Sequence, residues 1–123
     1  MKFRNISIHQ YLQALASDAP VPGGGGTSAL AAALGAALGI MVAAIMQKKS
    51  KAGARSRLMS LSKQLQARLR SFEATIDRDA AVYQALMQTY RRTRKLKNRV
   101  RAKQLIDRAL KTSFEIQQRF VFN

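Results

Sequence analysis

From Ala29 to Met46 the chain runs eighteen residues without a charge or a polar side chain. Few folds accommodate such a run. Leu30, Leu34, Leu38, Met41 and Ile45 recur at steps of four, four, three and four, which places them on one face of an α-helix. The other faces are almost all Ala and Gly, so neighbouring backbones can come very close. The length sits at the threshold for a membrane span, Lys48, Lys49 and Lys51 follow it, and Gly35 and Gly39 form a GxxxG pair. Eight of the eighteen residues are Ala, which gains little from lipid, so the expectation is a buried helix of a soluble protein and no membrane span. Before it come Pro20-Val21-Pro22 and the four glycines Gly23, Gly24, Gly25 and Gly26. A loop is expected from Ser17 to Gly26, with Thr27 or Ser28 capping the helix. Bare N–H groups at that start, beside residues without side chains, can approach an anionic or polar ligand. Four glycines also suit a flexible linker, and the residues alone leave both readings open.

The rest of the chain is helical in pattern. Ser7-Ile8-His9-Gln10 fits a capping box, and Ile8, Tyr11, Leu12 and Leu15 follow as an apolar stripe ending near Ala16. Gln47–Ala54 is polar and basic, with Gly53 as an expected breaker. Leu58, Leu61, Leu65, Leu69, Phe72, Ile76, Tyr83 and Tyr90 then form a long seam, most simply a bundle core. Arg91–Lys103 holds eight basic residues in thirteen and reads as a connection into a last basic helix, whose thin apolar face is Val100, Ile106, Leu110 and Phe114. The chain closes on the apolar Phe120-Val121-Phe122-Asn123. No stretch alternates as a strand would. The predicted architecture is all-α, an antiparallel bundle of about four helices in one domain over 1–123, with an atypical basic segment from 91 to 123.

Several chemistries are excluded by residue content. With no Cys there is neither a disulfide nor a thiolate. A single His, His9, and six dispersed acids suggest no metal cluster, and no cofactor is expected. His9 reads best as a solvated or packing residue. Net charge is +16, of which +15 lies after residue 46. Such a field attracts polyanions, with nucleic acid, anionic lipid and polyglutamate all as candidates. Neither an aromatic ladder for stacking bases nor a nucleic-acid-binding motif accompanies it, so binding is expected to be weak and without sequence preference. Met1–Tyr11 lacks the apolar core of a signal peptide, and a cytoplasmic setting is expected.

The segment PVPGGGGTSALAAALGAALGIMVA, together with the helix before it and Asp77-Arg78-Asp79-Ala80-Ala81-Val82-Tyr83, resembles the cyclodeaminase/cyclohydrolase family of folate enzymes. The likeness runs from about Ile8 to about Tyr90. It implies a formiminotetrahydrofolate cyclodeaminase or a methenyltetrahydrofolate cyclohydrolase of one-carbon metabolism. The substrate is then a tetrahydrofolate derivative, polyglutamylated forms included, with no further cofactor, and the protein is a homo-oligomer such as a homodimer. It also implies site residues. Asp79, the second aspartate of the Asp-x-Asp-Ala segment, is the catalytic proton donor. Pro22, Gly23, Gly24, Gly25, Gly26, Thr27 and Ser28 contact substrate, as do Tyr83 and the basic pair Lys48 and Lys49. Without the resemblance, Asp77 and Asp79 read as solvated helix charges. Two residues apart on a helix, they face different directions. Relative to the family the chain is C-terminally shortened and unusually basic. Two other functions stand beside the enzyme: a basic helical module binding nucleic acid or protein, and an inactive truncated relative.

Overall fold

In a computed structural model, described here over residues 2–94 and 99–121, the chain is helical almost throughout and, among the described residues, contains no strand. A single 3-10 turn at Phe3–Asn5 precedes four α-helices: α1 (Ile8–Leu15), α2 (Gly24–Lys49), α3 (Ala52–Thr93) and α4 (Arg99–Val121). The all-α bundle expected from periodicity is the fold found. Lys95 to Asn98, Phe122 and Asn123 lie outside the described residues, as do the side chains of Phe114 and Phe120.

The start of α1 follows its local code. The Gln10 N–H donates to Ser7 Oγ at 3.1 Å, and the Ser7 N–H donates to Gln10 Oε1 at 3.0 Å, so two N–H groups without helical partners are satisfied. The second boundary differs from expectation. Helix α2 starts at Gly24, with Gly23 as its N-cap and no side-chain cap of its own. Neither Thr27 nor Ser28 caps it. Thr27 Oγ1 instead donates back to the Gly23 carbonyl at 2.9 Å, and Ser28 is exposed. None of the described glycines has a positive φ. The expected loop therefore ends at Gly23, and three of the four glycines are helical.

The break between α2 and α3 lies at Ser50 and Lys51, both extended (φ −94°, ψ 147° and φ −68°, ψ 161°). Gly53 sits inside the first turn of α3 rather than breaking it. The two helices then run antiparallel. Gly39 packs on Leu65, where an added Cβ would come within 2.9 Å of a leucine methyl, and Gly26 lies beside the Ile76 carbonyl. Helix α3 has 42 residues and α2 has 26, about 63 Å against about 39 Å at 1.5 Å per residue. Beyond Ala80, α3 outreaches α2, and α4 turns back along this extension to form a two-helix hairpin.

Helix α2, expected to be buried, is covered on one side only. Its buried residues are Gly26, Ala29, Ala33, Ala36 and Ala43: the small face points inward. Beyond Leu30, which packs against the core, the large stripe faces out, with Leu34 and Leu38 each 59% exposed and Met41 and Ile45 about half exposed. The cause is the close approach to α3, which only small side chains permit. The compact core therefore forms at the junction of the N-terminal turn, α1, α2 and α3, from Phe3, Tyr11, Ala29, Ile76 and Ala80. Phe3 and Tyr11 meet edge to face, with ring centroids 6.2 Å apart, a favoured aromatic geometry.

Candidate active site

The start of α2 meets the middle of α3 at this core, and a carboxylate bridges the two. The Gly26 N–H donates to Asp79 Oδ2 at 2.8 Å. First-turn N–H groups have no partner within their own helix, and the helix terminus favours an anion. Asp79 thus supplies from α3 the cap that no local side chain provides. The glycines make this approach possible. A Cβ on Gly25 would collide with the Asp79 carboxyl, lying 2.7 Å from its Cγ, and one on Gly26 would lie 3.3 Å from the Ile76 carbonyl. The bare backbone expected to admit a ligand admits Asp79 itself.

Tyr11 braces the turn from behind. It is only 4% exposed, and its hydroxyl lies 3.4 Å from Thr27 Oγ1. Because the Thr27 proton goes to the Gly23 carbonyl, the Tyr11 hydroxyl is the donor in this contact.

In front of the carboxylate is a cavity of about 450 Å³. The N-terminal connection lines it with Pro20, Val21 and Gly23, and α2 with Gly24 and Gly25. Helix α3 contributes Asp79, Val82, Tyr83 and Leu86, and α4 contributes Leu110. The walls are largely apolar, with the carboxylate, a phenol and backbone as polar groups, the usual composition of a small-molecule site. Asp77 lies on another face of α3. Arg4 holds it, with Nε 3.1 Å from Oδ2 and the backbone N–H donating to Oδ1 at 3.3 Å. Oδ2 has no aligned hydrogen bond, so the guanidinium contact is one of charge. The two aspartates diverge as their spacing requires, and Asp77 pairs with Arg4, a partner 73 residues away.

Of the residues proposed from the sequence, Gly23, Gly24, Gly25, Asp79 and Tyr83 line one cavity, with Gly26 and Thr27 holding its edge. Pro22 is buried behind the connection while Pro20 and Val21 form the wall. Ser28 does not line it. Lys48 and Lys49 close the opposite end of α2, about 36 Å along the helix from Gly24, and within this chain do not join the site. Val82 and Leu86 were not anticipated, yet the signal was present. With Asp79 and Tyr83 they occupy positions i, i+3, i+4 and i+7, one helix face. No local signal marks Leu110. Among the described residues no group of three or more His, Cys, Asp or Glu could hold a metal.

The fold and site define an all-helical protein with a carboxylate set into a glycine-lined helix start. Comparison with known proteins narrows this. Residues 7–120 match the formiminotransferase-cyclodeaminase family model, and the chain belongs to that family. The match extends well past Tyr90, into the basic segment. The chain is also 34% identical over 87 residues to a methenyltetrahydrofolate cyclohydrolase of Methylorubrum extorquens, covering 70% of this chain and 42% of that protein. It therefore spans less than half of that relative. No solved structure matches it.

Proposed function

We propose that the chain acts in folate one-carbon metabolism, as a methenyltetrahydrofolate cyclohydrolase or a formiminotetrahydrofolate cyclodeaminase, with Asp79 as the proton-transfer group. One observation carries the reading: the Asp79 carboxylate, held by the Gly26 N–H at 2.8 Å, faces the cavity between α2, α3 and α4. Family membership and the cyclohydrolase relative support the substrate class.

Both reactions pass through a tetrahedral carbon bridging two folate nitrogens. In the hydrolytic direction water adds to the methenyl carbon, its proton is taken up, and one carbon–nitrogen bond breaks to leave the formyl group on the other nitrogen. In the deaminating direction the arylamine nitrogen attacks the formimino carbon carried on the pterin ring nitrogen, gives up its proton, and ammonia departs after protonation. A carboxylate that accepts a proton in one step and returns it in the next serves both, a contribution of about 10²–10⁴ in rate. The Gly26 N–H fixes its position. Pro20, Val21, Val82 and Leu86 offer an apolar wall to the folate, and Tyr83 offers a ring and a hydroxyl to its pterin. No cofactor beyond the folate belongs to this reading, which places the protein in the cytoplasm.

Self-association is part of the proposal. Helix α2 is long and apolar enough to cross a membrane by length and composition. Its outward stripe of Leu34, Leu38, Met41 and Ile45 is read as a surface for a second copy, because the Ala-rich remainder gains little from lipid. The enzyme reading is tested with the purified chain and methenyltetrahydrofolate, followed by near-ultraviolet absorbance. Protein-dependent loss of the methenyl band supports the hydrolase, and protein-dependent formation of the band from the formimino compound supports the deaminase. Folate binding without either change rejects turnover and leaves a scaffold.

A further inference from the structure

The folate reading makes no use of the strongest electrostatic feature of the molecule. Residues 91–111 carry ten Lys and Arg against the single acid Asp107. Eight of the ten are among the described residues and fall on the hairpin that α3 and α4 form beyond the end of α2. Arg91, Arg92, Arg94, Lys103, Arg108 and Lys111 are all exposed. The cavity lining stops at Leu86 on α3 and Leu110 on α4, so most of this charge lies farther out along the hairpin.

We infer that the α3–α4 hairpin is a binding site for the phosphate backbone of duplex nucleic acid, engaged without regard to base sequence. Three features favour this ligand. The first is extent. From Arg99 to Lys111 α4 advances about 18 Å, over which a duplex presents roughly ten phosphates, enough to engage all six of these exposed cations. A small anion needs two or three. The second is distribution. Arg91 and Arg92 project about 100° apart, and Lys103 and Arg108 about 140° apart around their helix. A bilayer surface selects one basic face opposed to one apolar face, whereas a duplex can be met from several sides of a rod. The third is chemistry. Arg predominates, and its fork-shaped guanidinium pairs with phosphate through two hydrogen bonds.

The test uses the full chain and a fluorescently labelled 20-base-pair duplex of mixed sequence, read by anisotropy between 50 and 200 mM salt. With five phosphates engaged, the slope of log K against log salt is about −4.5. The triple variant Arg91→Glu/Arg92→Glu/Arg94→Glu should weaken binding at least about tenfold and flatten the slope by about 2.7, three contacts at roughly 0.9 each. The variant Lys48→Glu/Lys49→Glu/Lys51→Glu makes the same change in net charge at the other end of α2 and should weaken binding less than about threefold, the limit expected if only screened long-range charge is altered. Arg91→Gln/Arg92→Gln/Arg94→Gln serves if the glutamate variant loses helix content by circular dichroism. Equal losses in the arginine and lysine variants would reduce the effect to overall charge and overturn the site. Salt-independent binding would overturn it too, as would binding to phosphatidylserine vesicles with none to the duplex. Activity on folate does not enter these readouts, so the hairpin and the proposed enzyme stand or fall separately.

Discussion

Gly25→Ala tests the geometry at the start of α2 most sharply. The added methyl carbon would lie 2.7 Å from Asp79 Cγ and 3.1 Å from Oδ2, and closer still to Oδ1. Carbon–carbon contacts are comfortable from about 3.5 Å, so the carboxyl must withdraw by about 0.8 Å. A withdrawal of that size stretches its 2.8 Å bond to the Gly26 N–H to about 3.6 Å, no longer a hydrogen bond. Losing a hydrogen bond to a charged group costs about 1.5–3 kcal/mol. Against this, Ala is favoured over Gly in a helix by about 0.8–1 kcal/mol. The net expectation is destabilisation by about 0.5–2 kcal/mol. Gly24→Ala is the matched control, since nothing lies within 4 Å of its added methyl. It should gain the helix term and lose nothing. At about 4–8 °C per kcal/mol, thermal unfolding followed by circular dichroism should separate the two variants by at least about 6 °C. In an Asp79→Ala background the penalty should vanish, and Gly25→Ala should become stabilising, as a double-mutant cycle detects. Equal midpoints for Gly24→Ala and Gly25→Ala with Asp79 present would refute the argument.

Asp79→Asn keeps an oxygen for the Gly26 N–H but removes the group that exchanges a proton, so it should lower turnover by at least about 10²-fold with the circular dichroism spectrum unchanged; retained turnover would sink the proposed mechanism. Asp77→Asn breaks the charge contact with Arg4 and leaves the cavity intact. It should cost no more than about 1 kcal/mol, as for partly exposed ion pairs, and change turnover less than threefold, whereas a loss equal to that of Asp79→Asn would mean that the wrong carboxylate carries the chemistry. Sedimentation at micromolar concentration should find the chain associated through the outer stripe of α2, and Leu34→Glu/Leu38→Glu should shift it to monomer; a wild-type monomer peak without detergent would exclude that interface.

Where the chain's local code is strong, its sequence was sufficient. The capping box at Ser7 and Gln10 and the divergence of Asp77 from Asp79 follow from helical spacing, whereas the seam of α3 is core only in part: Ile76 is buried, but Leu61, Tyr83 and Tyr90 are exposed. The start of α2 was misread because its cap is not local: Asp79 arrives from 53 residues away, and a rule that searches neighbours for Ser or Thr cannot see it. The facing of α2 was left open for a related reason. Periodicity identifies a face of large apolar residues but not which face a neighbour covers. Here Gly26 and Gly39 set an approach so close that only the Ala side fits. The resemblance assembled Asp79, Tyr83 and the glycines correctly as neighbours, but carried Lys48 and Lys49 to a point that the length of a rigid helix keeps remote from them.

The double duty of Asp79 bears on how this chain and its descendants should be judged. The carboxylate that is proposed to move protons also closes the first turn of α2. A lineage that had given up turnover would still be selected to keep a side-chain oxygen at this position, from Asp or Asn, and a glycine opposite it, merely to fold. Retention of an acceptor there is therefore a record of architecture before it is a record of chemistry. Tyr83 is the better witness. It lines the cavity, stays 37% exposed and lies outside the compact core, so once catalysis ceased to matter it would be among the first residues free to drift.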